Sequence, residues 1–201
     1  MMVTKINKIM PKLAEQYTGR EYELDAYGSC EVGPEAKKVL LDLYKLWDEL
    51  DWDERSKIHT LDLIRLIARE YTEDPLKPKK SLARDIRDLL LEKMELDDEP
   101  ERLGFYSSID TVLDRKGIDG FFMLDGEPRL AVTTDITLQD ETKKYSNFPT
   151  HVILHGDLLQ GKGEDTAEYI QRLAPFVDQI KEGFDEAQRS FQNKKGGNNG
   201  R

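Results

Sequence analysis

The clearest candidates for chemistry in this sequence are two aspartates, Asp119 and Asp135, on neighbouring predicted strands. The strand candidate 118–124 is rich in aromatic and apolar residues and is followed by Asp-Gly, a strong turn signal. The next strand, 129–138, alternates cleanly, and Asp135 falls in the set that includes Thr137. Two carboxylates a few ångströms apart form a site for a hard cation. Such a cation lowers the pKa of bound water and neutralises charge on a phosphate.

The turn between these strands decides whether the two aspartates can share a ligand. They lie on one face of the sheet only if the two residue numbers of each cross-strand pair add up to an even number. A two-residue Asp125-Gly126 loop pairs Leu124 with Glu127 and places the aspartates on opposite faces. A three-residue loop with Gly126 as a left-handed bulge residue pairs Met123 with Glu127, and we predict this bulged turn.

The first hundred residues have a helical pattern, because apolar residues recur at steps of three and four. Four helices are predicted: one around 6–17, one from Pro34 to about Leu50, one from about Asp53 that stops before Asp74-Pro75, and one from Ser81 to about Leu96. Asp85 and Glu92 border the apolar face of the fourth helix. Either of them is a candidate for a further metal ligand or an ordinary solvent-facing acid.

The composition changes at Pro100, after which β-branched residues, aromatic residues and glycines become frequent. The predicted order is a helix (81–96), strands (105–112, 118–124 and 129–138), a short helix from about 140, a strand (151–155) and a long helix (164–191). This order, with an aspartate at the start of the second strand and another in the third, resembles the core of the PD-(D/E)XK nuclease-like superfamily. The resemblance covers roughly residues 81–160.

The resemblance implies that Asp119 and Asp135 bind Mg²⁺ or Mn²⁺ and that the protein hydrolyses phosphodiester bonds. In that family the third-strand motif usually continues with one residue and then a lysine, but here Thr137 stands in that place. Lys143 and Lys144 follow the strand and are the candidates for a displaced lysine. If neither reaches the site, the resemblance implies a catalytically inactive relative.

The whole pattern predicts an α+β protein in three parts. Residues 1–80 form a helical region, residues 81–192 form a nuclease-like α/β core with a long C-terminal helix, and residues 193–201 form a disordered tail. The tail is predicted from its glycines and asparagines.

The predicted C-terminal helix carries an apolar heptad seam over residues 170–191, with Pro175 inside it. The proline is expected to kink or interrupt the helix. Two interpretations remain: the seam packs lengthwise on the domain, which we favour, or it pairs two chains as a homodimer.

Composition limits the partners and the compartment. A net charge of -10 argues against broad, salt-driven binding to nucleic acid, although metal ions held by carboxylates still allow contact with phosphate. No run approaches the ~18 apolar residues that span a bilayer, and the N-terminus lacks the apolar segment of a secretory signal. The single cysteine, Cys30, forms no internal disulfide, so we expect a cytoplasmic protein.

Three classes of function therefore remain. A metal-dependent nuclease predicts that Asp119, Asp135 and a lysine converge in a cleft. An inactive nuclease-like binding or assembly module predicts converging aspartates without a lysine. A helical interaction protein predicts an exposed apolar seam on residues 170–191.

Overall fold

The computed structural model describes residues 18–138, 150–161 and 163–196, with side chains as far as residue 193. It confirms an α+β fold in which helices surround a four-stranded mixed sheet. The helices are α1 (Gly19–Ala26), α2 (Pro34–Leu46), α3 (Trp52–Lys57), α4 (Thr60–Glu70), α5 (Ser81–Lys93), α6 (Val112–Arg115) and α7 (Thr166–Gly196). The strands are β1 (Leu103–Ser107), β2 (Gly120–Leu124), β3 (Ala131–Thr137) and β4 (His151–His155). Within the described ranges, no helix is long and apolar enough to cross a membrane.

The helix predicted from Pro34 is confirmed, but the single helix predicted from Asp53 is wrong. Two helices, α3 and α4, replace it, because Ile58 adopts an extended backbone and ends α3. Helix α4 stops at Glu70, since Tyr71 leaves the helix and forms an isolated bridge with Val32. The helix predicted around 6–17 lies outside the described residues.

Helix α5 begins at Ser81, where the sequence pattern predicts it, and ends at Lys93. Lys80 is the N-cap, and no side chain caps the helix start. Arg87 in the middle of the helix is buried and donates from Nε to the carbonyl of Leu103 at 2.8 Å. This hydrogen bond fixes α5 to the first strand of the sheet.

The strands follow one another in the order β1-β2-β3-β4, with antiparallel pairing up to β3 and parallel pairing between β3 and β4. Met123 pairs with Ala131, so the even register is confirmed, but the predicted three-residue bulged turn is wrong. Instead, Glu127 N–H donates to Leu124 O at 3.0 Å around Asp125-Gly126, and a 3₁₀ turn (Pro128–Leu130) follows. Pro128 has no N–H to donate to a strand partner, which delays the start of β3.

The sheet has a hydrophobic core on each face. One core lies between the sheet and α1, α5 and α7, and it includes Phe122 and Val132. The other lies between the sheet and α2, α4 and α6, and it includes Phe121 and Met123. Neighbouring residues of a strand therefore face different cores, as the period of two requires. Helices from the first eighty residues share a core with the sheet.

Helix α7 packs lengthwise on the domain, as favoured from its sequence. It runs through Pro175 as one helix and continues to Gly196, beyond the predicted start of the tail at Asn193. The residues of the apolar seam are buried or partly buried, except Ile170, which is 40% exposed. The seam is therefore occupied by contacts within the chain. The short helix predicted from about 140 falls on residues 139–149, outside the described part.

Candidate functional site

Asp119 lies immediately before β2 and is held on both sides by backbone groups. Its N–H donates to Thr134 O at 2.8 Å, and its carbonyl accepts from Ser108 N–H at 2.9 Å. Its Oδ2 accepts from the N–H of Ile136 at 2.8 Å. The carboxyl group thus takes the place that a backbone carbonyl of β2 would hold in the ladder. Since the residue is 3% exposed, this side chain is fixed in position and kept from water.

Asp135 reaches the same place from the middle of β3. It is 2% exposed, and its carboxyl group is hydrogen-bonded to that of Asp119. Gly117 lies close by and has φ +75°. A Cβ added to this glycine would lie 3.7 Å from Asp135 Oδ2. The even register of β2 and β3 is what allows the two carboxyl groups to meet.

The environment raises the pKa of the Asp119 carboxyl well above its usual value of 3.8. Burial is the largest cause, and the negative charges of Asp135 and Glu23 act in the same direction. The hydrogen bond from Ile136 N–H opposes them. Because two buried carboxylates in contact repel each other, the pair retains a proton to higher pH than an exposed aspartate does.

Two further acids complete the group, and both were missed at the sequence level. Glu23 on α1 and Asp114 on α6 each bring a carboxylate oxygen near Asp119, and one oxygen from each of the three residues lies within 4.8 Å of the others. Oxygens that bind one hard cation at about 2.0–2.6 Å lie within about 5 Å of one another. The spacing therefore suits a shared Mg²⁺ or Mn²⁺ ion.

Arg20 covers one side of this acidic group. One of its nitrogens, Nη1, lies 3.0 Å from Asp114 Oδ2 and 3.8 Å from Glu23 Oε2. The other, Nη2, binds Asp110. The side chain of Arg20 is 37% exposed, so the group borders solvent at this point while Asp119 and Asp135 lie behind it.

The two acids predicted on the fourth helix are not part of this group. Glu92 is exposed on α5, and Asp85 on the same helix accepts a hydrogen bond from Tyr169 at 2.9 Å. Thr137, which the sequence analysis considered in place of a lysine, is buried. Lys143 and Lys144 lie outside the described residues.

The sequence contains a local signal for helix α1, which its apolar pattern did not predict. Thr18 and Glu21 form a capping box, in which Thr18 accepts from Glu21 N–H and Glu21 binds the N–H of Thr18. The Thr-x-x-Glu spacing predicts a helix start and would have placed Glu23 on a helix. It would not have shown that this helix lies against β3.

The fold and the site together define an α+β protein with a buried carboxylate group where two adjacent strands meet. Comparison with protein-family models, curated proteins and solved structures finds no match to this chain.

Proposed function

We propose that this protein is a divalent-metal-dependent phosphodiesterase that acts on nucleic acid, with Asp119 and Asp135 as ligands of Mg²⁺ or Mn²⁺. One observation carries the proposal: the Asp119 carboxyl is buried in contact with Asp135 and is surrounded by the acids Glu23 and Asp114. A buried group of like charges is unfavourable by itself, and a bound cation removes that repulsion.

The donor set fits this role, because hard divalent cations prefer carboxylate oxygens. The bound cation supplies an activated water and neutralises charge on the scissile phosphate. The Asp119 carboxyl is held in position, since its Oδ2 accepts the Ile136 N–H at 2.8 Å. Arg20, at the exposed side of the group, has the charge and geometry to pair with a phosphate oxygen. Lys143 or Lys144 supplies the displaced lysine.

A second function is favoured by the groups around the acids. Thr137 replaces the family lysine, and Arg20 is already engaged by Asp110 and Asp114. These features fit a catalytically inactive, nuclease-like module that binds or assembles without cleaving. Such a module would keep the cation site and lack turnover.

The test is cleavage of single- and double-stranded DNA and RNA with Mg²⁺ or Mn²⁺, alongside calorimetric titration of Mn²⁺. We expect the Asp135→Ala variant to lose cleavage by at least about 100-fold, because a ligand of the activating cation is gone. Asp125→Ala, at the far end of β2, is the matched control and should cleave as the wild type does.

The outcomes separate the alternatives. Cleavage that survives Asp135→Ala would place any active site elsewhere. Mn²⁺ binding by the wild type without cleavage of any of the four substrates would favour the inactive module. A wild-type protein that neither binds Mn²⁺ nor cleaves any substrate would contradict the proposed cation site.

A further inference from the structure

The guanidinium of Arg20 lies against two of the acids that could bind a cation. Arg20 is the second residue of α1, and its side chain is 37% exposed. Its Nη1 donates to Asp114 Oδ2 at 3.0 Å and lies 3.8 Å from Glu23 Oε2, while Nη2 donates to Asp110 Oδ1. One side chain thus links α1 to the segment that contains α6, and it does so through carboxylates.

The same two acids belong to the group around Asp119. Asp114 and Glu23 are the residues that bring a carboxylate oxygen within 4.8 Å of an oxygen of Asp119. Their side chains are only 18% and 19% exposed, so water compensates their charges incompletely. Partly buried carboxylates need a positive charge nearby, and Arg20 supplies one.

Arg20 and a divalent cation cannot use these carboxylates independently. A guanidinium nitrogen 3.0 Å from Asp114 Oδ2 stands within a few ångströms of any cation that this carboxylate binds. Positive groups this close repel each other, and the partial burial of the acids weakens screening by water and salt. Arg20 must therefore move away when the cation binds, or it lowers the affinity by staying.

Arg20 can leave Asp114 without disturbing the carboxylate. The N–H of Asp110 also donates to Asp114 Oδ2, at 3.0 Å, and this hydrogen bond does not depend on Arg20. The side chain of Asp110, which pairs with Nη2, is 57% exposed and lies at the solvent side of the group. The acids therefore keep their positions when the guanidinium turns toward solvent.

We propose that Arg20 is the counter-ion of the acidic group in the metal-free protein and competes with the divalent cation for Asp114 and Glu23. The arginine stabilises the fold before the cation binds, and it sets how tightly the cation is held. Once displaced, it is available to a phosphate. This inference rests on the proposed cation site and concerns the regulation of that site.

Arg102 provides a matched control at the opposite end of β2. Its side chain is 35% exposed, and it also binds two acids, Asp125 and Glu99, through hydrogen bonds of 2.7 to 3.1 Å. Neither of these acids belongs to the group around Asp119. Replacing Arg102 therefore removes a comparable ion pair, and the same net charge, without touching the cation site.

The experiment compares Arg20→Gln and Arg102→Gln with the wild-type protein by calorimetric titration of Mn²⁺ and by thermal unfolding in EDTA and in excess Mn²⁺. In EDTA, Arg20→Gln should unfold at a lower temperature, because the acids have lost their counter-ion. It should nevertheless bind Mn²⁺ about three- to tenfold more tightly, because one partly screened repulsion is gone. Mn²⁺ should therefore raise its unfolding temperature more than that of the wild type.

Two further variants of the comparison test whether the charge of Arg20 is the cause. Arg102→Gln should keep the wild-type affinity for Mn²⁺, and an equal gain there would overturn the inference by showing an effect of net charge alone. Arg20→Lys keeps the positive charge and should bind Mn²⁺ nearly as the wild type does. A lysine variant that gains as much affinity as the glutamine variant would also overturn the competition.

The outcomes separate this inference from the proposed function. If Arg20→Gln binds Mn²⁺ no more tightly than a wild type that does bind it, the competition is overturned and the cation site stands. An unfolding temperature that Mn²⁺ raises no further in Arg20→Gln than in the wild type has the same meaning, even when glutamine lowers the stability strongly. If neither protein binds Mn²⁺, the proposed function and this inference fall together. Binding by Arg20→Gln but not by the wild type would support the competition and contradict the wild-type cation site.

Discussion

Strand β2 has an Asp-Gly pair at each end, and the two pairs lie in opposite environments. At one end, Asp125 is exposed and pairs with Arg102 through both oxygens, at 2.7 and 3.1 Å. This contact raises the pKa of Arg102. At the other end, Asp119 is buried in contact with Asp135, and the charges that shift its pKa are negative.

The glycines differ in the same way. Gly126 has φ +64° and open space around it, so it serves the turn. A Cβ added to Gly120 would lie 2.9 Å from the ring of Phe105, so this glycine serves close packing. The same dipeptide therefore forms a solvated turn at one end of the strand and a candidate site at the other. Burial and the sign of the neighbouring charges make the difference.

The largest expected contrast is in cation binding by Asp119→Asn and Asp125→Asn. Asparagine keeps an acceptor for Ile136 N–H, so Asp119→Asn should fold while losing a charged ligand. We expect its affinity for Mn²⁺ to fall by more than about tenfold, and that of Asp125→Asn to stay unchanged. Isothermal titration calorimetry on both variants measures this directly. Equal losses of Mn²⁺ affinity in Asp119→Asn and Asp125→Asn would show that neither carboxyl group binds the cation specifically.

Much of the fold could be predicted because it depends on local patterns. The period of two in β3 and the apolar run of β4 are visible in the sequence, and β4 was placed at its observed bounds, His151–His155. Helix α1 was missed because its buried side chains, Tyr22 and Ala26, form too short an apolar pattern to stand out. Their packing partners lie far along the chain.

The candidate site could be predicted only in part for the same reason. Asp119 and Asp135 lie on adjacent strands, so register arithmetic gave the condition under which they meet, although the turn predicted to satisfy that condition was wrong. Glu23 and Asp114 arrive on separate helices, and only the packing of α1 against β3 and the position of α6 before β2 bring them to Asp119. The connection across residues 124–130 also depends on Pro128, which the turn rule for Asp-Gly does not include.

A smaller contrast is expected in the pH dependence of stability without divalent cations. The pKa of Asp119 is raised by folding, so the folded state binds more protons between about pH 4 and that raised pKa. The stabilisation that protonated Asp119 contributes to the folded state is therefore present in acid. It is lost as the pH rises through the pKa that Asp119 has in the folded protein. The limiting slope is about 1.4 kcal/mol per pH unit.

Urea denaturation in EDTA at several pH values tests this dependence. The stability of Asp119→Asn relative to the wild type should increase with pH, because asparagine has no proton to lose. Asp125→Asn should follow the wild-type slope. A constant difference between Asp119→Asn and the wild type would mean that Asp119 does not titrate differently on folding.

The smallest expected effect is at the exposed end of β2. Replacing Asp125 by asparagine removes an ion pair whose side chains are 35% and 41% exposed. Water and salt screen such pairs, so we expect a loss of less than about 1 kcal/mol, smaller still in high salt. Chemical denaturation at two ionic strengths measures it. A loss of several kcal/mol would place this turn among the structural determinants of the sheet.

The hydrogen bond from Ile136 N–H to Asp119 Oδ2 has a practical consequence. A backbone amide that donates to a carboxyl group changes its resonance frequency when that group gains or loses charge. In an NMR spectrum of ¹⁵N-labelled protein, the Ile136 cross-peak is therefore a reporter that follows proton loss and cation binding at the Asp119–Asp135 pair. The neighbouring strand amides serve as the internal reference.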